Sequence, residues 1–191
     1  MSAMTTEVPV GLPRGRALTR DDLDAMPDDG HRYELLDGIL VVSPAPSPVH
    51  QRASFRLSML LHAALPPGVE ILPAPLDVEL ADDTVLQPDL VVALTNDFTE
   101  RGLSAPPVLA VEVLSPSSRG IDLLLKKDRL ERAGCAHYWV VDPLEPSLTG
   151  WTLTDGQFRQ VARAVGDEAF SVDEPFAVRV VPADLVAVSG S

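Results

Sequence analysis

Residues 49–65 place Ala53, Leu57, Leu60, Leu61 and Ala64 on an i, i+4, i+7, i+8, i+11 stripe. That period predicts an amphipathic helix of about four turns. Elsewhere the pattern shortens. Residues 33–36 and Ile39–Ser43 flank Asp37-Gly38, a pair suited to the positive φ angles of a two-residue turn, and together they predict a hairpin. Residues 69–72 and 75–80 read as strands. Leu90–Leu94 and residues 108–114 are nearly continuous apolar runs, as expected of central strands covered on both faces. Residues 121–133 read as a helix stopped by Gly134, and 138–141 as a buried strand closed by Asp142-Pro143. Residues 147–191 read as short strands, with a second hairpin about Asp155-Gly156. Upstream, Thr19 and Asp22 have capping-box spacing and open a short helix running to Met26. Strands interleaved with two substantial helices indicate an α/β (α+β) domain, a mixed β-sheet flanked by helices. Residues 1–17 lack periodicity and read as a flexible N-terminal arm, leaving 18–191 as a single domain.

Composition narrows the class. A length of 191 residues suits one domain, and 46% hydrophobic with 23% charged residues is ordinary globular usage. The lone Cys135 excludes an intramolecular disulfide and any multi-cysteine zinc site. No apolar run approaches the roughly 20 residues that span a bilayer, and no apolar leader follows Met1. The chain therefore reads as soluble and cytoplasmic, with no membrane partner. Its 28 acidic and 15 basic residues give a net charge of −13. Binding to phosphates draws on Lys and Arg, so contact with nucleic acid would need a local basic patch or a bridging cation. The charge does not exclude a nuclease, because divalent metals neutralise clustered carboxylates.

The candidate chemistry lies in acidic residues set among apolar ones. Asp89 follows Pro88 and leads into Leu90–Leu94, and Glu112 sits inside the run 108–114. A carboxylate inside a covered strand is costly unless it is paired or binds a metal. The plainer alternatives are a strand-start Asp89 bound to nearby backbone, and a Glu112 in a buried salt bridge or at an edge. Two such residues at neighbouring strand ends suit a hard cation such as Mg2+. Glu34 is a third candidate, for which an exposed strand position is the readier explanation from the residues alone. Lys126 and Lys127 are the only lysines. Lys126 reads either as a surface partner of Asp122 at i, i+4, worth about 0.3–0.5 kcal/mol, or as a residue facing a cleft. Lys127 lies about 100° around the helix and should point elsewhere. His50 beside Gln51 reads either as a polar residue near a helix cap, the plainer reading, or as one that approaches a phosphate or a site; Ser115-Pro116-Ser117-Ser118 reads as a capping loop, and Tyr138 and Trp139 as core. The sequence contains no G-x-S-x-G, P-loop or G-x-G-x-x-G.

Taken in order, Tyr33-Glu34-Leu35-Leu36-Asp37-Gly38, Ser43-Pro44-Ala45-Pro46-Ser47, His50-Gln51, Pro88-Asp89-Leu90-Val91-Val92, Val111-Glu112-Val113-Leu114-Ser115-Pro116, Asp122, Lys126 and Tyr138-Trp139-Val140-Val141-Asp142-Pro143 form a recognisable set. Over residues 18–185 the chain resembles the Uma-type family of restriction-endonuclease-like proteins, within the PD-(D/E)XK nuclease superfamily. The resemblance implies a restriction-endonuclease-like core and metal-dependent phosphodiester hydrolysis. It implies Asp89, Glu112 and Glu34 as ligands of Mg2+ or Mn2+, with the Val113 carbonyl as a further oxygen. It also implies nucleic acid as substrate, DNA ahead of RNA, and by fold analogy a homodimer. The superfamily's lysine two positions after the acidic residue is Leu114 here, and Lys126 matches the family's substitute on the following helix. Leu130 stands where members usually carry tyrosine. Lys126→Ala is then expected to lower kcat with little change in melting, and Lys127→Ala to stay near wild type. The competing classes are a non-catalytic binding or scaffold protein retaining the fold, and a hydrolase of another phosphoester.

Overall fold

The structure, a computed structural model, describes residues 13, 15–116 and 118–188. The expected arm over 1–17 lies largely outside the described residues, as does Ser117 of the capping loop. Helix α1 (Arg20–Asp24) opens where the Asp22 carboxylate accepts the Thr19 N–H at 2.9 Å, and it ends two residues short of Met26. Strands β1 (Arg32–Leu36) and β2 (Ile39–Ser43) pair through the Asp37-Gly38 turn, whose φ angles are 53° and 72°. Helix α2 (Pro48–Ala64) buries Ala53, Leu57 and Leu61, but Leu60 is 41% exposed. The buried face is narrower than the apolar stripe because polar His50 and Ser54 share it with the alanine and leucines.

The chain then runs through β3 (Val69–Pro73), β4 (Val78–Ala81), β5 (Thr84–Leu86), β6 (Leu90–Leu94), β7 (Phe98–Thr99), β8 (Gly102–Leu103) and β9 (Leu109–Val113). A π-helical turn, Ile121–Lys126, leads directly into α3 (Lys127–Ala133), which ends at Gly134 with φ 88°. Then follow β10 (His137–Asp142), β11 (Ser147–Thr154), β12 (Gln157–Val165), β13 (Phe170–Val172), β14 (Val178–Val180) and α4 (Pro182–Val186). The region 121–133 is helical as expected, but its first six residues take the wider turn.

Two six-stranded sheets form, in the orders β12-β11-β10-β9-β6-β3 and β2-β1-β5-β4-β8-β7. Both are mixed: β9 and β10 are parallel in the first, β4 and β8 in the second. The second sheet was not legible as a separate unit because β5, β7 and β8 are two or three residues long, too short to show a period. On one face of the first sheet, Leu90, Val92, Val111 and Trp139 pack against Ala53, Leu57 and Leu61 of α2. On the other face, Ala110, Tyr138 and Val140 meet Leu130 of α3, Leu36 of β1 and Leu86 of β5. The site is built at the end of this sandwich. No helix among the described residues is long and apolar enough to cross a membrane.

Gly150 on β11 lies opposite Trp139, whose ring meets Phe170 edge-on with centroids 4.9 Å apart. A Cβ at Gly150 would stand 2.8 Å from the Phe170 ring and 3.1 Å from Trp139. Gly150→Ala is therefore expected to overpack this corner at a cost of about 1–3 kcal/mol. Urea denaturation checks this; an unchanged midpoint would mean that the ring pair moves aside freely.

Candidate active site

Antiparallel β6 and β9 pair Leu90 with Val111 and Val91 with Ala110. This register carries Asp89, the residue before β6, to the end of the ladder where Glu112 sits. Asp89 is held from three sides. Its Oδ2 accepts the Val113 N–H at 2.7 Å and lies 3.1 Å from His50 Nε2, while Oδ1 accepts from Arg32 Nη1 at 3.0 Å. Burial works to raise the Asp89 carboxyl, but His50, Arg32 and the Val113 N–H together hold it below the usual carboxylate range.

Glu112 engages a different set. Its Oε1 lies 3.1 Å from Lys126 Nζ, which also stands 2.9 Å from Glu34 Oε1 and 3.5 Å from Asp122 Oδ1. Glu34 Oε1 further accepts the Gln87 N–H at 2.6 Å. All four side chains of this cage are buried, with residue exposures of 1–2%. One ammonium therefore faces three carboxylates. Burial works to lower Lys126, but Glu112, Glu34 and Asp122 more than reverse it, so Lys126 keeps its proton. Burial pushes Glu112 well above the usual carboxylate value, with Lys126 only partly offsetting it. Asp122 is raised for the same reason. Burial and the neighbouring carboxylates thus both work to raise Glu112 and Asp122.

The π turn places Asp122 and Lys126 inward together. Tyr138, buried in the core, donates its hydroxyl to the Asp122 carbonyl at 2.8 Å and ties the turn to β10. The wider winding leaves Leu124 and Leu125 at 69% and 50% exposure. Such turns within α-helices are frequent at functional sites. Lys127 points away, its Nζ 4.4 Å from the Trp151 ring.

Of the four residues nominated from sequence, Asp89 lines a cleft of about 440 Å³, together with Arg32, His50, Gln51, Ser54 and Gln87. Glu34, Glu112 and Lys126 meet one another in the adjoining cage. Three plain readings are corrected. The Asp122–Lys126 pair is buried, not on the surface, because the π turn faces Glu34 and Glu112. Glu34 is not an exposed strand residue, because its strand runs between β2 and β5. His50 does more than sit near a cap: from the first turn of α2 it reaches Asp89. Sequence reasoning also passed over Arg32, although Arg32 lies at i−2 from Glu34 and so on the same strand face.

Among the described residues, no three His, Cys, Asp or Glu side chains stand in metal-binding geometry. The donor set nevertheless fits a hard divalent cation in kind and charge. Four carboxylates against Lys126 and Arg32 leave a formal charge of −2. Glu34 Oε2 and Asp122 Oδ1 are buried without a hydrogen-bond partner. The spacing is what differs, since cage oxygens lie 2.9–3.5 Å from Nζ against the roughly 2.0–2.1 Å of a Mg2+ ligand.

Glu112 gives a test of this electrostatic picture. Its raised value means that the folded protein keeps a proton which the unfolded chain releases above about pH 4.3. Stability should therefore fall as pH rises from there to the folded value. In EDTA, Glu112→Gln should flatten that decline and melt above wild type at pH 8. Parallel melting-temperature profiles in the two proteins would place the titrating group elsewhere.

A family model described as "Uma2: Putative restriction endonuclease" matches residues 20–184. No curated protein matches the chain. Among solved structures, the fold is similar to that of a protein from Anabaena variabilis ATCC 29413, titled a putative nuclease belonging to DUF820. The TM-score is 0.70 at 19% identity, covering 88% of this chain and 97% of the other. That likeness establishes the architecture, a mixed α/β sandwich consistent with a restriction-endonuclease-like core.

Proposed function

The chain belongs to the Uma2 family, and from that premise we propose that it is a metal-dependent endonuclease hydrolysing nucleic-acid phosphodiester bonds, in DNA ahead of RNA. The observation that carries this reading is the meeting of Glu34, Glu112 and Lys126, from three separate elements, in a buried cage beside the cleft that Asp89 lines. Glu34, Asp89 and Glu112 would hold Mg2+ or Mn2+. Such an ion, when bound, polarises the scissile phosphate and lowers the pKa of the attacking water.

The chain's own residues supply the rest. Arg32 and His50 fix the orientation of Asp89, as outer partners of a ligand do. Arg32, a quarter exposed at the cleft, offers further guanidinium donors to a phosphate. Lys126 would stabilise charge developing on the phosphoryl group. Helix α2 supplies a local basic surface on a chain of charge −13. Its 17 residues include Arg52, Arg56 and His62 and no acidic side chain. Its first turns line the cleft, where the positive end of the helix dipole favours an anionic backbone. The nuclease title of the Anabaena protein agrees with this reading. Pairing two copies would set one site on each strand of a duplex.

One observation favours a second reading, a binding protein that retains the fold: Lys126 fills the carboxylate cage. Cleavage of circular substrates separates the two, because only an endonuclease opens a molecule without ends. Covalently closed duplex DNA, circular single-stranded DNA and RNA should be incubated with Mg2+ or Mn2+. Opening of the DNA circles, suppressed by EDTA, is the expected result. Metal-independent binding without cleavage of any of the three would establish the second reading.

A further inference from the structure

We propose that Glu34, Glu112 and Asp122 form a single cation cage in which Lys126 and a divalent metal ion are alternative occupants, so that metal entry expels the lysine. The inference rests on the reading of this site as metal-dependent, and it adds Asp122 as a cage carboxylate and Lys126 as the occupant that metal must displace.

A buried lysine kept only for structure is normally matched in charge and in hydrogen bonds. This one is not. Three carboxylates face one ammonium, Glu34 Oε2 and Asp122 Oδ1 have no hydrogen-bond partner, and Asp122 Oδ1 stands 3.5 Å from Nζ. Asp122 is 2% exposed, and its Oδ1, which forms no hydrogen bond, faces Lys126 Nζ. The donors are oxygen only, which a hard cation favours. A divalent ion brings one more positive charge than the ammonium and satisfies the orphan oxygens, but it needs them about 1 Å closer. Both cannot occupy the same centre. The π turn gives the lysine a route to leave. The turn is tied by the Tyr138 hydroxyl at Asp122, while Leu124 and Leu125, the residues before Lys126, are exposed. Asp122 can thus stay while Lys126 swings.

The two lysines make the exchange directly visible. Lysine labelled with carbon-13 at Cε gives two signals, and Lys127 against Trp151 serves as the reference. The full chain is titrated with Mg2+, with calorimetry on the same samples. The Lys126 signal is expected to move from a buried to a solvent-like position, saturating together with the heat, while Lys127 stays. Lys126→Met should bind Mn2+ about tenfold or more tightly than wild type, because no occupant has to leave. Asp122→Asn should weaken binding in wild type and in that variant. Should Lys126→Met fail to fold, the wild-type titration and Asp122→Asn still decide. Heat of Mg2+ binding with an unmoved Lys126 signal would overturn the proposal, as would the absence of binding at millimolar Mg2+ and Mn2+. Lysine displacement without cleavage of any nucleic acid would keep the cage and end the nuclease reading. Metal-dependent cleavage with Lys126 unmoved would do the reverse.

Discussion

Lys126→Ala is expected to destabilise the metal-free protein by about 3–5 kcal/mol, the usual cost of removing one partner from a buried ion pair. For a chain of this length that is a fall of roughly 2–4 °C in melting temperature per kcal/mol. The residue is 2% exposed and is the only cation within 4 Å of Glu34, Glu112 and Asp122 among the described residues. Removing it leaves three buried carboxylates that must take up protons or open to water. The loss should be partly recovered by Mn2+, which replaces the missing charge. The sequence alone led to the opposite expectation, a variant melting near wild type, because a lysine reaching a phosphate from a cleft acts on the transition state and not on the fold. Lys127→Ala should change melting little, since its ammonium sits over Trp151 outside the cage. Thermal melting in EDTA and in Mn2+ checks both variants. An unperturbed Lys126→Ala would mean that the cage carboxylates are already neutral.

Asp89 carries the second large effect, on chemistry. Asp89→Asn should lower kcat for DNA cleavage by about 10²–10³-fold, the scale seen when one electrostatic group of an active site is lost. The amide keeps one oxygen to accept the Val113 N–H at the 2.7 Å position. Its NH2 group, however, would take the Oδ1 position and face Arg32 Nη1, a donor that now meets a carboxylate oxygen. Asp89→Ala should show the same loss of rate together with a stability cost of about 1–3 kcal/mol, from leaving a buried N–H without its acceptor. Single-turnover cleavage and urea denaturation separate the two effects. Retention of rate in Asp89→Asn would remove Asp89 from the chemistry and leave it as a support for β9.

What the residue pattern made legible follows from how local the cause was. The Asp37-Gly38 hairpin needs only its own backbone, and its φ angles are those its residue types favour. The central strands declare themselves because both faces are covered, and their buried carboxylates stand out because burial is costly. Asp122 and His50 were illegible in role for the opposite reason. What surrounds them comes from other elements: Glu34 and Glu112 share the Lys126 ammonium with Asp122, and Asp89 meets His50. Nor does hydrophobic spacing announce a π turn, since residues 121–133 fit an ordinary helical period well enough. The second sheet escaped because strands of two or three residues cannot show alternation.

The most direct measurement is nicking of supercoiled plasmid by wild type and by Glu112→Gln, purified side by side, in Mg2+ and in EDTA. Glu112 touches the cage lysine and lies next to Asp89 on the strand ladder, so its carboxylate is needed whichever half of the site holds the ion. The expected result is metal-dependent nicking by wild type and none by Glu112→Gln. Equal nicking by the two proteins, or none by wild type in either Mg2+ or Mn2+, would contradict it.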